Sequence, residues 1–300
     1  MPILHLDLKP VQGEAVALRS FWENPNDYDD RVLSLAEIGD WVEQAEAGYY
    51  VSPKNQVDLV VLGRELFQWL DGADRWLVSK LNQYPGQGII LAIATAGRLA
   101  ALPWEVLHDG AQFLVQRQSA IVPVRWCASD FVPRLQEVST PQNRALNVLF
   151  MAASPRDVAP VLNYEEEEAQ ILRATARPTI GLTVEESGCL DELSYLVDSY
   201  GRGFFDVVHL TGHATIQESQ PRFITETLTG EAHYVSAREI AKALKPPMPA
   251  LVFLSGCRTG QAAEAGAVPS MAEQLLADGA TAVLGWGQKV LDTDATIAAP

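Results

Sequence analysis

Apolar and polar positions alternate in two distinct ways along this chain, and the alternation becomes regular only in its second half. From residue 145 onward, short aliphatic runs at 145–153, 179–184, 205–210, 250–254 and 280–285 read as strands. Between them, 163–177, 190–200, 236–244 and 270–277 have helical spacing. The first of these helices carries Glu165, Glu166, Glu167 and Glu168 in its opening turn, where the helix dipole favours negative charge. Ser236 stands three residues before Glu239, the spacing of a capping box, and Pro246-Pro247 marks the far end of that helix. Residues 226–235 read as a hairpin. Strands alternating with helices imply a mainly parallel sheet with helices on both faces.

The first half is mixed. Residues 3–8 and 14–19 form a predicted hairpin, and 33–47 and 59–83 have helical periodicity, the second broken near Gly72. A strand is expected at 88–96 and a short helix at 102–107, with Pro103 at a position that tolerates it. Further strands are expected at 113–115 and 120–126. The polar stretch 132–144, with Pro133 and Pro141, reads as a linker, so the chain divides into regions 1–143 and 144–300. No internal repeat or low-complexity segment is found.

Composition narrows the function classes. A hydrophobic fraction of 48% supports a full core and excludes general disorder. The net charge is −16, from 22 basic and 38 acidic residues, which disfavours nucleic acid or an anionic membrane as a direct partner. Three scattered cysteines, Cys127, Cys189 and Cys257, do not make a disulfide framework and point to a reducing compartment. The N-terminus lacks a signal-peptide pattern, and no run approaches the roughly 18 apolar residues of a membrane span. A cytoplasmic protein is expected. There is no P-loop, no Gly-x-Gly-x-x-Gly and no Gly-x-Ser-x-Gly, so no cofactor is expected and an α/β-hydrolase site lacks its signature.

The chemistry gathers at the ends of two of the predicted strands. The run 205–210 continues into Thr211-Gly212-His213-Ala214, and 250–254 continues into Ser255-Gly256-Cys257. Polar groups just past the carboxyl ends of such strands lie where open α/β sheets place their active sites. A thiol needs a base to become a thiolate at neutral pH, and a neighbouring imidazole is the usual one. The separation, 257 − 213 = 44 residues, is close to the roughly 50 between the histidine and cysteine of caspases. His213 and Cys257 are therefore the candidate catalytic pair. Cys127 and Cys189 lack this context. His209 lies within its strand and reads as a core histidine; on a strand it would stand about 13 Å from His213, too far for a shared metal, and no metal site is expected.

The chain resembles the CHAT domains, caspase-like cysteine peptidases related to separase. The dyad carries the resemblance together with three flanking segments in order: Leu102-Pro103-Trp104-Glu105-Val106-Leu107-His108-Asp109; Met151-Ala152-Ala153-Ser154-Pro155 with Asn163 and Glu167 downstream; and residues 275–286, ending in Leu284-Gly285-Trp286. Together they span roughly 60–295.

The resemblance implies a caspase-like, mainly parallel sheet flanked by helices on both faces, preceded by a mixed α+β, pseudo-caspase-like N-terminal region. It implies that the final helix is cut short near residue 300. It also implies an oxyanion site made by the backbone N–H of Cys257 with that of Gly212 or Ala214; the family usually has glycine where Ala214 stands. By analogy with separase, Asp292 or Asp294 would bind a basic side chain before the scissile bond. Substrate-recognition loops are expected at 215–225 and 259–269. The partners implied are a protein or peptide substrate and an activating partner, an attached sensor domain or self-assembly, with a link to bacterial defence. The alternatives are an inactive interaction or scaffold module that keeps the fold, and a thiol enzyme of another class such as an acyltransferase.

Overall fold

The computed structural model of the protein describes residues 1–46, 58–95, 97–126, 144–162, 164–176, 180–256 and 270–286. Its contacts divide the chain into two units, Met1–Thr140 and Pro141–Pro300. In the first, β1 (Ile3–Pro10) and β2 (Ala15–Phe21) pair as an antiparallel hairpin, burying Leu4, Leu6 and Leu8 of one strand and Val16 and Leu18 of the other at period two. β3 (Asp29–Ser34) adds to the free edge of β2. Then come α1 (Gly39–Glu46), α2 (Leu59–Asp71) and α3 (Trp76–Leu81). β4 (Ile89–Thr95) and β5 (Ile121–Arg125) complete a mixed five-stranded sheet of order β3-β2-β1-β4-β5, with β4 parallel to both its neighbours. The core joins Leu4, Leu6, Leu91 and Ile93 of the sheet to Leu62, Leu66 and Leu70 of α2.

Helix α2 starts where Asp58 accepts hydrogen bonds from the N–H groups of Val60 and Val61. It stops at Gly72, whose φ of 65° no other residue type adopts as easily. Two local expectations are corrected in this unit. Leu33 and Ser34 close β3 rather than open a helix, because the register pairs them with Val16 and Ala15. Residues 113–115 hold only a single bridge, Phe113 to His108, before a 3-10 turn at Leu114–Gln116. Asp109 turns the chain back here by accepting from the N–H groups of Ala111 and Gln112.

The second unit is a mixed α/β structure built on β6 (Leu146–Ala152), α4 (Tyr164–Thr175), β7 (Ile180–Glu185), α5 (Leu190–Tyr200) and β8 (Val207–Thr211). A side sheet follows: β9 (His213–Gln217), β10 (Gln220–Glu226) and β11 (Ala232–Val235). The chain then returns through α6 (Ala237–Leu244), β12 (Leu251–Ser255), α7 (Met271–Ala277) and β13 (Ala282–Gly285). The main sheet has the order β13-β12-β8-β6-β7 and is parallel throughout.

The chain changes direction across this sheet between β6 and β8, and the carboxyl ends flanking such a switch point form a crevice. On one face Leu149, Met151, Val208, Leu210, Val252 and Leu254 pack against α5, α6 and α7. On the other, Phe150, His209 and Phe253 are register neighbours on three adjacent strands. Helix α4 lies over that row, since its Glu167 reaches β8. Right-handed crossovers require this division, because β6-to-β7 runs across the sheet opposite to the later connections.

The side sheet overturns the expectation of a loop at 215–225. β9 and β10 pair from Gln217↔Gln220 to Ile224↔His213, and the expected hairpin at 226–235 is the next turn, closed by Glu226↔Ala232. The β9–β10 turn places Glu218 and Ser219 at φ 51° and 58°, the left-handed two-residue turn that strand twist favours. It lacks the Asn-Gly or Asp-Gly pair that advertises such a turn. Pro221 costs the ladder nothing, because its N side faces β11 beyond the point where that strand ends. Among the described residues, no helix is long and apolar enough to cross a membrane.

Candidate functional site

The site grows from the ends of β8 and β12. The two strands are neighbours, with Thr211 opposite Ser255. Each runs into a glycine, Gly212 or Gly256, and the next residues in the chain are His213 and Cys257. The Gly212 N–H donates to the Ser255 carbonyl at 3.1 Å, and the Ala153 N–H at the end of β6 donates to the Thr211 carbonyl at 2.9 Å. Both glycines are required by one aromatic ring. A methyl group on Gly212 would lie 3.0 Å from Cζ of Phe223, and one on Gly256 would lie 2.9 Å from Cε2 of the same ring. Phe223 comes from β10 and is fully buried, so the side sheet wedges its phenyl against the residue before each candidate catalytic position.

His213 opens β9 and is half-buried. Its Nε2 lies 2.8 Å from the carbonyl oxygen of Pro160. A carbonyl only accepts, so Nε2 carries the proton and Nδ1 of the neutral ring is the unprotonated, basic nitrogen. Ala214 sits opposite Phe223. Counting from the hydrogen-bonded pair that closes a two-residue turn, this is a non-hydrogen-bonded pair, so the Ala214 N–H points away from β10. Extended backbone accommodates alanine as readily as glycine here.

Behind the strand ends lies a group of buried polar side chains: Glu167, His209, Thr211 and Ser255. The Thr211 hydroxyl donates to Oε2 of Glu167 at 2.8 Å and lies 3.4 Å from the Ser255 carbonyl. Oε1 of Glu167 faces Nε2 of His209 at 3.2 Å, an ion-pair distance at an angle outside hydrogen-bond geometry, and neither atom has a hydrogen-bond partner among the described residues. His209 stacks on Phe253 at 4.4 Å and meets the edge of Phe150 at 5.2 Å, so it is a core residue. The Nε1–H of Trp286 reaches Oγ of Ser255 at 3.5 Å.

Cys189, at the start of α5, is buried, and burial pushes its thiol above the ordinary value. Such a thiol is inert. Cys127, Cys257, Asp292, Asp294 and the expected loop 259–269 lie outside the described residues. Among the described residues, no cluster of three His, Cys, Asp or Glu side chains is arranged to hold a metal.

Sequence reasoning missed the Pro160 carbonyl and the Phe223 wedge, and it quoted Glu167 only for the family resemblance, without its inward-facing placement. Glu167 had a readable signal: it stands four residues before buried Ile171, on the inner face of α4. The other two had none, since a main-chain carbonyl belongs to every residue and Phe223 fell in a presumed loop. In comparisons with known proteins, the family model described as CHAT domain matches residues 60–298. No curated protein matches the chain.

Proposed function

The chain belongs to the CHAT-domain family, which is related to caspase-like cysteine peptidases, and on that premise we propose that it is a cysteine endopeptidase acting through Cys257 and His213. One observation carries the reading. His213, just past the end of β8, is held through its Nε2–H by the carbonyl of Pro160 from the segment between β6 and α4, and β8 lies directly beside the strand whose chain runs on into Cys257. A methyl on Gly256 would itself lie 3.1 Å from the Gly212 carbonyl, so the two chains approach closely where the dyad is needed.

In this mechanism Nδ1 of His213 takes the thiol proton and the Cys257 thiolate attacks the scissile carbonyl. The developing imidazolium strengthens the bond from Nε2–H to Pro160. The Cys257 N–H and the outward-facing Ala214 N–H hold the oxyanion, each such donor being worth about 3 kcal/mol. Gly212 was the other expected donor, but its N–H is engaged by Ser255. His213 then returns the proton to the leaving amine, and water hydrolyses the thioester with Nδ1 as base.

The first unit takes the pseudo-caspase role in this reading. Asp292 or Asp294 binds a basic side chain before the scissile bond. Gating by a partner, an attached sensor domain or self-assembly rests on the family resemblance. A peptidyl electrophile carrying a reporter tests the proposal. A peptidase is labelled at Cys257 and loses the label in Cys257→Ala; a scaffold that has lost activity is not labelled, and an acyltransferase is labelled without peptide preference.

A further inference from the structure

A carboxylate is almost never fully buried without a reason beyond packing. Glu167 is 3% exposed, and Thr211, Ser255 and His209 around it are 4%, 4% and 5% exposed. An apolar side chain of similar size would fill this space at least as well. The mechanism above uses none of these groups, yet two of them lie close in sequence to the residues that it does use. Thr211 is two residues before His213, and Ser255 is two residues before Cys257.

On the premise that Cys257 and His213 are the reacting pair, we propose that Glu167 and Thr211 are positioning residues: a clamp that aims the ends of β8 and β12 so that the thiol and imidazole meet. Thr211 is tied on three sides. Its hydroxyl goes to Glu167 of α4, its carbonyl accepts from Ala153 at the end of β6, and the N–H of the following Gly212 holds the Ser255 carbonyl of β12. The residues between the clamp and the dyad are glycines, kept small by the Phe223 ring. They have no side chain with which to fix their own direction. The last side chains that can aim each strand toward its catalytic residue are therefore those one residue earlier, Thr211 and Ser255. Glu167 provides the acceptor that turns the Thr211 hydroxyl inward. His209, stacked on Phe253, faces the other carboxylate oxygen at 3.2 Å and packs against the far side of the carboxylate.

Displacements of about 1 Å in such pairs cost on the order of a hundredfold in rate, so the clamp is testable without knowing the substrate. The measurement is the second-order rate of Cys257 alkylation by iodoacetamide in the whole chain, followed by peptide mass mapping, with buried Cys189 as internal reference. Thr211→Val removes the hydroxyl at constant shape. It is expected to slow alkylation of Cys257 about tenfold at about pH 6.5, where the thiolate depends on His213. The loss disappears at about pH 9.5, where an ordinary thiol is already ionised. Thr211→Ser restores the rate. Glu167→Gln slows it in the same direction, and the double variant loses no more than the worse single one. If Glu167→Gln fails to fold by circular dichroism, Thr211→Val decides alone. A Thr211→Val rate equal to wild type overturns the clamp, as does a rate that rises together with that of Cys189, the sign of simple loosening. A wild-type Cys257 no faster than free cysteine at about pH 6.5 overturns the dyad itself, and the clamp with it.

Discussion

The Nε2 of His213 lies 2.8 Å from the Pro160 carbonyl oxygen. That contact selects the tautomer in which Nδ1 is the base, and it orients the ring through a main-chain carbonyl. In the proposed dyad, His213→Ala removes the base and Cys257→Ala the nucleophile. Each is expected to lower kcat/KM by about 10³-fold or more. His213 is half-buried at the start of an edge strand, so His213→Ala should keep its circular dichroism and most of its thermal stability. Cys189→Ala should retain full turnover. Loss of cleavage in that variant at unchanged stability would make Cys189 the nucleophile.

The Phe223 ring leaves no room for a side chain at Gly212 or Gly256. Gly256→Ala is expected to destabilise the protein by about 1–3 kcal/mol through overpacking, measured by urea denaturation at constant m. Gly212→Ala should behave alike, and shortening the ring with Phe223→Leu should relieve part of either penalty. Alanine at both positions with no loss of stability would show that the ring is not wedged there.

Acid should weaken a strap at the opposite ends of the strands. Two hydrogen bonds from the Arg144 guanidinium, at 2.5 and 2.6 Å, hold the Asp206 carboxyl below the usual carboxylate range; burial opposes this, and the Asn147 N–H at 2.9 Å adds to it. A carboxyl with a lower pKa in the folded state binds fewer protons there than in the unfolded chain. Its contribution is complete above the unfolded value, about 3.9, and is lost as pH falls through the folded one. Asp206→Asn should therefore lower Tm at pH 7, and the gap from wild type should close as the pH drops below about 4. A gap that stays constant down to pH 2 would mean that the pair adds nothing through its charge.

The acidic-pocket proposal for Asp292 and Asp294 predicts that peptides with Arg or Lys before the scissile bond are cut faster than those with Leu or Met. One of the single variants Asp292→Asn and Asp294→Asn should erase the preference. That change should exceed the effect of neutralising a surface carboxylate such as Glu218. A peptide-library profile decides it, and equal cutting of basic and apolar peptides rejects the pocket.

Much of the second unit was legible in the order of its residues. Helices α5 and α6 and the parallel strands follow from short-range periodicity, and the Ser236–Glu239 capping box is present with both of its hydrogen bonds. The candidate dyad was legible for the same reason: a glycine and a polar residue closing an aliphatic run are local signals. What the chain alone did not reveal is how distant segments meet. The β9–β10 hairpin uses Glu218 and Ser219 in a left-handed turn without glycine, a conformation that the surrounding sheet imposes against local preference. The run of glutamates at 165–168 reads as a dipole-compatible, solvated first turn, yet the packing of α4 on the sheet drives Glu167 inward to Thr211 and His209. The Pro160 carbonyl and the Phe223 ring act only because the fold brings them to His213 and to the two glycines. Local sequence determines which elements form and which residues end them; the pairing of those ends is decided by long-range packing, because each partner's energy depends on neighbours dozens of residues away.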